Sequence, residues 1–310
     1  MDRRRFVRLA AAAPPGLMAL GSSARRAAGA QSFQERFPVV ASEPWGRLLR
    51  VADGVWALAS EPLRDRTTLC NGGIVQGRAG VLLVEAFGSD EGSRWMVEQA
   101  RTLTGRLPTH VILTHHHADH TRGLRAAAAA TDVALATSET RDRVFEREPE
   151  LAEATGSRVE VLDDRRPTEI DLGDRSLVVV PRRGHTRSDV TVEVFDASVA
   201  FCGDLVWNGM FPNYVDAAPL RLSQAVRVLR ARGMGTYVSG HGTMADPEAV
   251  DRYIALLDDV EAVARRALER GETAEAAGAR YRLPAGMEDW VLFDPGYLVR
   301  AIGAWMRELG

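Results

Sequence analysis

The segment THVILTHHHADHTRGL, residues 109–124, constrains this 310-residue chain more than any other part of its sequence. It places five of the seven histidines within eleven positions, directly after an apolar run that is typical of a short buried strand. His115 and His117 are two residues apart, so both side chains can turn to one side of an extended segment. Asp119 and His120 follow and can face a second point close by. The spacing predicts donors for two neighbouring positions at the end of a strand.

A metal site explains this crowding better than a solvated loop with an accidental histidine run. Neighbouring imidazoles repel one another when protonated, and a shared cation removes that repulsion. Two nitrogen donors for one ion, with a carboxylate and an imidazole for a second, account for the spacing. Further candidates follow downstream: His185 in RRGHTRSDV, His241 in VSGHGT and Asp204 in AFCGDLV, each just after an apolar strand pattern.

Strand and helix patterns alternate along the chain, and no long linker separates them. Strand patterns cover residues 48–52, 55–59, 73–76, 80–84, 110–113, 133–137, 176–180, 191–195, 199–201 and 236–239. Helical patterns cover about 91–104, 138–145, 221–232, 247–270 and 297–308. Gly and Pro punctuate the joins, which favours one α/β domain over residues 31–310 with helices at its C-terminal end.

In chain order, these motifs resemble the metallo-β-lactamase fold superfamily. The signature H-x-H-x-D-H occupies residues 115–120, and it is followed by G-H-T at 184–186, G-D at 203–204 and G-H-G at 240–242. The resemblance covers about residues 45–245. It implies a four-layer αββα sandwich with a metal centre in the cleft at the sheet edges.

The resemblance also implies which residues hold the metal ions. One ion would be held by three histidines, His115, His117 and His185. The second would be held by Asp119, His120 and His241, and Asp204 would bridge both ions. His116 and His110 fall outside this set, and we expect supporting or structural roles for them.

The ligand set predicts a hydrolase. Two divalent ions, zinc being favoured by the nitrogen-rich ligation, can share a water and lower its pKa towards ~7. The resulting hydroxide can attack the carbonyl carbon of a small-molecule substrate. Asp119 can also orient this nucleophile and accept its proton, which makes it the candidate catalytic residue.

Departures from the family pattern narrow the substrate class. Dizinc β-lactamases usually carry Cys where this chain has Asp204 and use a Lys or Ser nearby to bind the drug carboxylate. Here the nearby Cys202 lies two residues upstream, and the chain contains no lysine. Asp204 is closer to the pattern of glyoxalase II, so thioesters, esters or lactones are favoured. β-Lactam hydrolysis, a mononuclear iron enzyme of the persulfide dioxygenase type and a non-hydrolytic binding module remain as alternatives.

The loop after Asp204, LVWNGMFPNYVDAAPLR, is the predicted substrate-binding segment. Its aromatic residues would form an apolar wall and its asparagines would donate hydrogen bonds: Trp207, Asn208, Phe211, Asn213 and Tyr214. Plain packing is the alternative role for the aromatic residues. Three arginines that flank His185 are candidates for attracting an anionic group: Arg182, Arg183 and Arg187.

The N-terminal residues 1–30 have the order of an export signal. A basic region is followed by an apolar run at 9–20 and a small-residue site at 28–30. Arg3 and Arg4, followed by an apolar pair, resemble the twin-arginine motif, which predicts a periplasmic protein. The apolar run is too short to be a stable membrane anchor. Removal of residues 1–30 would change the formal net charge of the chain from −3 to −8. An acidic protein of this kind argues against a nucleic-acid partner.

The two cysteines leave two alternatives open. In an oxidising compartment, Cys70 and Cys202 could pair as a disulfide. Both lie in apolar, strand-like runs, which favours two buried thiols equally well.

Overall fold

The protein is described by a computed structural model over residues 33–61 and 63–310. The export signal predicted for residues 1–30 lies outside the described residues, so it stays a prediction. Within the described ranges, no helix has an apolar stretch long enough to cross a membrane.

The first sheet has eight strands, whose order in the sheet follows their order in the chain. They are β1 (Val39–Glu43), β2 (Gly46–Ala52), β3 (Val55–Ser60), β4 (Gly72–Gln76), β5 (Val81–Val84), β6 (His110–Ile112), β7 (Val133–Thr137) and β8 (Val159–Leu162). Strands β1 to β5 pair antiparallel, whereas β5 to β8 pair parallel. The parallel half therefore needs crossover connections, and these contain helices.

The second sheet has five strands: β9 (Thr168–Asp171), β10 (Ser176–Arg182), β11 (Asp189–Val194), β12 (Val199–Phe201) and β14 (Thr236–Val238). Their order in the sheet is β14-β12-β11-β10-β9, and β12 pairs parallel with β14. Two further short strands, β13 (Trp207–Asn208) and β15 (His241–Gly242), pair parallel beside it.

The α-helices connect and cover these sheets. They are α1 (Asp90–Thr104), α2 (Ala118–Thr121), α3 (Leu124–Ala129), α4 (Ser138–Arg147), α5 (Pro149–Thr155), α6 (Pro219–Ala231), α7 (Pro247–Glu269), α8 (Ala274–Arg280) and α9 (Gly296–Leu309). Several begin at recognisable caps. Ser89 accepts a hydrogen bond from the Gly92 amide at the start of α1, and Asp246 accepts one from the Ala249 amide at the start of α7.

Apolar side chains form three clusters that define four layers. The central cluster lies between the two sheets, where Val84 of the first sheet and Val192 of the second are both fully buried. A second cluster packs α1 and α3 against the outer face of the first sheet. The third packs the C-terminal helices, including Trp305 of α9, against the second sheet. This order confirms the predicted αββα sandwich.

The ends of several strands meet at one edge of the sandwich. Glu85 follows β5, His115 comes three residues after β6, and Asp204 follows β12. His241 comes three residues after β14. Rigid strands thus hold the polar side chains, while the loops between them converge at this edge.

Candidate metal centre

The geometry of the 115–120 segment follows from where a helix begins. Residues 114–116 form a bend after β6, and α2 begins at Ala118, with His117 in an extended conformation as its N-cap residue. His115 and His117 therefore precede the helix, whereas Asp119 and His120 lie in its first turn. This change of direction aims the two pairs at two adjacent points.

The first point is surrounded by His115, His117, His185 and Asp204, whose potential ligand atoms all lie within 4.8 Å of one another. His185 Nε2 is 3.0 Å from His117 Nδ1 and 3.2 Å from Asp204 Oδ2. His115 Nε2 is 3.9 Å from the same carboxylate oxygen. We call these four residues the first donor group.

The second point is surrounded by Asp119, His120 and His241, which we call the second donor group. His241 Nε2 lies 3.1 Å from Asp119 Oδ2 and 3.3 Å from Asp204 Oδ1. His120 Nε2 lies 3.1 Å from the same Asp204 oxygen. The two oxygens of Asp204 thus face different groups: Oδ2 faces the first and Oδ1 faces the second.

These donors fit metal ions better than they satisfy one another. Several of the buried atoms have no hydrogen-bond partner among the described residues: His115 Nε2, His120 Nδ1, His120 Nε2 and Asp204 Oδ1. Buried polar atoms are normally hydrogen bonded, and exceptions need an explanation. Imidazole nitrogens and carboxylate oxygens at these separations are suitable ligands for divalent ions, because one ion satisfies several of them together.

The charges at the centre are set by burial and by mutual contact. Burial alone would raise the pKa of Asp204, but His241, His120 and His185 hold it well below its usual value. Burial would lower the pKa of His241, whereas Asp204 and Asp119 raise it to about 9. Burial lowers the pKa of His185 to about 3. An ionised carboxylate in a buried position favours a cation beside it.

Glu85 lies beside His120 and was not identified from the sequence. Its Oε1 lies 3.1 Å from His120 Nδ1, and it also accepts a hydrogen bond from the Thr114 hydroxyl. Glu85 has a φ of 79°, which is rare for a non-glycine residue. An acid directly after the buried run VLLV was the available signal, because β5 lies next to β6 in the sheet.

Asp216 is the second residue that sequence reasoning missed. It lies in the loop before α6, and its Oδ2 is 2.8 Å from His117 Nε2 and 3.4 Å from His116 Nε2. His116 thus points away from the first donor group, towards Asp216. His110, predicted to be structural, contacts the hydroxyl of Thr109.

The residues of the predicted substrate loop fall into two classes. Phe211 and Tyr214 are fully buried in the cluster formed with the C-terminal helices, so they do not form the open apolar wall that was expected. Asn208 is buried and donates to the Thr243 hydroxyl and the Met244 carbonyl, a structural arrangement. Phe211 and Tyr214 are held by packing against the C-terminal helices, whereas hydrogen bonds hold Asn208.

Trp207 lies beside the centre, and Asn213 contacts α9. The Trp207 ring lies 4.2 Å from the His241 ring, centroid to centroid, and forms one wall of the second donor group. Asn213 is partly exposed, and its Oδ1 accepts a hydrogen bond from Arg300 of α9 at 2.6 Å. Arg300 was not identified from the sequence, because it lies far along the chain from the loop.

The three arginines beside His185 do not together form a binding site for an anionic group. Arg182 is nearly buried, and its Nη2 lies 2.7 Å from the buried Glu193 carboxylate. Arg183 lies 3.7 Å from Asp164 at the surface, whereas Arg187 is exposed. Both cysteines are buried free thiols, so the disulfide alternative is not adopted.

Comparison with known proteins agrees with this architecture. The sequence profile of the metallo-beta-lactamase superfamily matches residues 65–260, well over half of the chain. A hydroxyacylglutathione hydrolase of Cereibacter sphaeroides is 30% identical over 134 residues, which is 43% of this chain and 48% of that protein. A hydroxyacylglutathione hydrolase of Acidiphilium cryptum is 29% identical over 202 residues, or 64% of this chain and 75% of that protein. The match to the first relative thus spans only about half of its length.

Solved structures share the fold at low sequence identity. A metallo-beta-lactamase of Pseudomonas aeruginosa in its mono-zinc form superposes with a TM-score of 0.59 at 20% identity, covering 71% of this chain and 97% of that one. A stereoselective inverting sec-alkylsulfatase of a Pseudomonas species reaches 0.65 at 14% identity, covering 85% and 50%. At these identities the likeness concerns the fold alone.

Proposed function

The chain belongs to the metallo-β-lactamase superfamily, and on that premise we propose that it is a dinuclear metal-dependent hydrolase acting on a thioester, ester or lactone. One observation carries the proposal. Asp204 Oδ2 lies 3.2 Å from His185 Nε2, while its Oδ1 lies 3.1 Å from His120 Nε2. A single carboxylate shared by two donor groups is suited to holding a pair of ions side by side.

In this proposal, the first donor group would hold one ion and the second donor group the other, with Asp204 common to both. Zinc suits the five imidazoles best, and the same donors also accept other divalent ions. When bound, such ions supply an activated water at neutral pH and stabilise negative charge that develops on a carbonyl oxygen.

The protein itself supplies the proton acceptor. Asp119 keeps 33% of its side chain exposed, whereas Asp204 keeps only 3%. Burial would raise the pKa of Asp119, but His120 and His241 hold it well below its usual value, so its carboxylate is ionised. Asp119 is therefore the carboxylate that an incoming water can reach. Its carboxylate can orient that water and accept a proton from it.

The preference for thioesters rests on the donor set and on the relatives. The Asp204 carboxylate adds oxygen ligation where a thiolate would add soft ligation. Cys202 cannot supply that thiolate, because its buried thiol is directed at the Ala200 carbonyl oxygen. Two relatives are named as hydroxyacylglutathione hydrolases, and we propose a substrate of the same chemical class, an acyl thioester.

Recognition of an anionic substrate group is assigned to α9. Arg300 is partly buried, and its guanidinium lies 5.2 Å from the centre of the Tyr297 ring. Burial raises the pKa of Tyr297, Arg300 opposes this, and the carboxylates of Asp294, Asp119 and Asp204 raise it further. The hydrogen bond from Arg300 to Asn213 ties this part of α9 to the loop that follows Asp204. The Arg300 guanidinium could therefore pair with the carboxylate of a thioester that carries one.

We further propose that residues 1–30 direct export by the twin-arginine route to the periplasm, because the basic pair, apolar run and small-residue site occur in order. Replacing Arg3 and Arg4 together by Lys is expected to retain the protein in the cytoplasm. Cleaved protein outside the inner membrane despite both changes would contradict that route.

The decisive experiment combines metal analysis with a substrate panel. Purified protein should bind close to two zinc ions and turn over thioesters or lactones. A single iron with sulfur oxidation would favour the persulfide dioxygenase alternative. Efficient β-lactam hydrolysis alone would favour the β-lactamase alternative. A metal-loaded protein that turns over none of the panel would contradict the hydrolase proposal.

A further inference from the structure

The two nitrogens of His117 face different partners. Nδ1 is 3.0 Å from His185 Nε2 and points into the first donor group. Nε2 is 2.8 Å from Asp216 Oδ2, within hydrogen-bonding distance. A neutral imidazole carries a proton on only one nitrogen, and the other nitrogen is the acceptor or ligand. A carboxylate can only accept, so the proton of His117 belongs on Nε2.

We propose that Asp216 is a positioning residue that fixes the tautomer and orientation of His117, so that the Nδ1 lone pair faces the first donor group. The inference adds a supporting residue to the proposed metal centre, and it rests on the proposed function. Histidine ligands commonly donate their second ring N–H to a carboxylate, which orients the ring and raises its basicity. Here that acceptor comes from a segment 99 residues further along the chain.

Hydrogen bonds anchor the backbone of residues 209–218 on both sides of Asp216, and this anchoring places its carboxylate beside His117. The Gly209 carbonyl oxygen accepts a hydrogen bond from the Val291 amide, and the Ala218 amide donates to the Gly184 carbonyl at 2.9 Å. Gly184 directly precedes His185. One short segment is therefore tied both to the C-terminal part of the chain and to the residue before a proposed ligand.

The position of Asp216 also links substrate recognition to the metal centre. The same segment carries Asn213, which accepts the hydrogen bond from Arg300. The Asp216 side chain keeps 49% of its surface exposed, so its carboxylate borders the open side of the site. The sequence alone shows no periodicity that connects Asp216 with the histidine cluster.

The position of His116 suggests an alternative role for Asp216, as a ligand of a third metal ion. His116 Nε2, His117 Nε2 and Asp216 lie close enough together to hold a third ion. That role would require His117 to bind ions through both of its nitrogens, which demands loss of its remaining proton. A hydrogen bond at Nε2 needs no such loss, so it is the arrangement we infer.

The test compares Asp216→Ala, Asp216→Asn and a control, Asp258→Ala. Asp258 is an exposed acid that pairs with Arg227 outside the centre. Zinc affinity is measured by competition with a chromophoric chelator, and the ring protons of His117 are assigned by ¹⁵N NMR. We expect Asp216→Ala to weaken zinc binding by 10-fold to 100-fold, as loss of such partners does elsewhere. The saturating metal count should not change.

Asp216→Asn keeps an acceptor oxygen and should recover part of the lost affinity, while Asp258→Ala should match the unmodified protein. A lower saturating metal count with unchanged affinity would make Asp216 a ligand and overturn the inference. Unchanged affinity in Asp216→Ala would also overturn it. NMR separates this inference from the proposed function: in metal-free protein, a proton on His117 Nε2 supports it, whereas one on Nδ1 contradicts it. Failure to bind metal at all would instead contradict the proposed function.

Discussion

Gly240 lies directly against the Asp204 carboxylate. A β-carbon built at Gly240 would be 2.0 Å from Asp204 Oδ1 and 2.7 Å from the Gly203 carbonyl carbon. Real β-carbons essentially never come within 3.0 Å of another heavy atom, so only glycine allows this approach. The first glycine of the G-H-G motif thus has a steric reason: Gly240 lets two loops meet tightly enough to bring Asp204 and His241 together.

Replacing Gly240 with Ala is therefore expected to displace Asp204 or the loop that carries His241. We expect the bound metal to fall by at least one ion and kcat/KM to fall by ~100-fold or more, because a small misplacement of reacting groups has effects of that size. Circular dichroism should still report a folded protein. The control is Gly156→Ala, where the added carbon would approach only Phe145 Cε2 at 4.0 Å. Wild-type metal content and activity in Gly240→Ala would contradict the steric argument.

The ligand motif could be predicted from sequence because its members are close in the chain or follow strands directly. Glu85 and Asp216 were missed because their roles depend on which strands and loops meet in space. Elements at the sheet edges were missed too: β1 and β8 are largely exposed, so their apolar patterns are weak.

The substrate role of the loop after Asp204 stays a prediction, and the burial of its aromatic residues could not be read from the sequence for a related reason. Its aromatic residues carry no sign in the sequence of whether a cleft or a core receives them. The C-terminal helices decide this by covering Phe211 and Tyr214. Conversely, Arg300 is one of many arginines in the sequence, and only its hydrogen bond to Asn213 distinguishes it.

Asp204→Ala should remove the carboxylate shared by the two donor groups. We expect loss of at least one bound ion and most of the turnover, and chelation of the unmodified protein should abolish activity. Ions that bind only the folded state also stabilise it: ligand at 100 times its Kd adds about 2.7 kcal/mol to the free energy of unfolding. The melting temperature should fall on chelation, as calorimetry can measure. A metal stoichiometry below one in metal-replete buffer, with every ligand intact, would contradict the dinuclear centre.

Asp189 should make stability depend on pH. Burial raises the pKa of this carboxyl to about 6, although the Thr186 amide and hydroxyl donate hydrogen bonds that oppose the rise. The folded pKa exceeds the unfolded value of about 3.9, so the folded state binds more protons between these values. The contribution to stability is full below about pH 4 and is lost as the pH rises through 6.

Asp189→Asn cannot ionise and should escape this loss. Between pH 4 and pH 7, we expect the free energy of unfolding of the variant to rise relative to that of the unmodified protein by about 2 kcal/mol. Urea unfolding of both metal-free proteins across this range measures the difference. If the free energy of unfolding of Asp189→Asn minus that of the unmodified protein stayed constant or fell as the pH rises, the hydrogen bonds from Thr186 would outweigh burial.

Arg300→Ala should separate recognition of an anionic group from chemistry. Its side chain is partly buried beside Asn213, so we expect KM for a carboxylate-bearing thioester to rise about 10-fold with a smaller change in kcat, about 1.4 kcal/mol of binding. An uncharged thioester should show little change. Arg307→Ala, on the exposed part of the same helix, is the control. Equal effects on both substrates would mean that Arg300 only supports the loop.

The donor set also ranks the carbonyl groups that the site should attack. A thiolate ligand would help one ion hold an amide nitrogen as that nitrogen leaves with negative charge, whereas the Asp204 carboxylate supplies hard oxygen ligation. Esters and thioesters need less help, because their leaving groups depart more readily. We therefore expect kcat/KM for thioesters or lactones to exceed that for β-lactams by at least ~100-fold, about 2.7 kcal/mol.

Steady-state assays on a matched panel of thioesters, lactones, penicillins and carbapenems measure this ranking directly. Weak β-lactam turnover agrees with it, since the same activated water can attack a strained amide slowly. Efficient penicillin or carbapenem hydrolysis with thioesters untouched would reverse the ranking. In that case, Arg300 of α9 would be the first residue to test as the partner of the drug carboxylate, because it is the partly buried cation hydrogen bonded to the loop that follows Asp204. Arg300→Ala would then raise KM for the β-lactam instead of for the thioester.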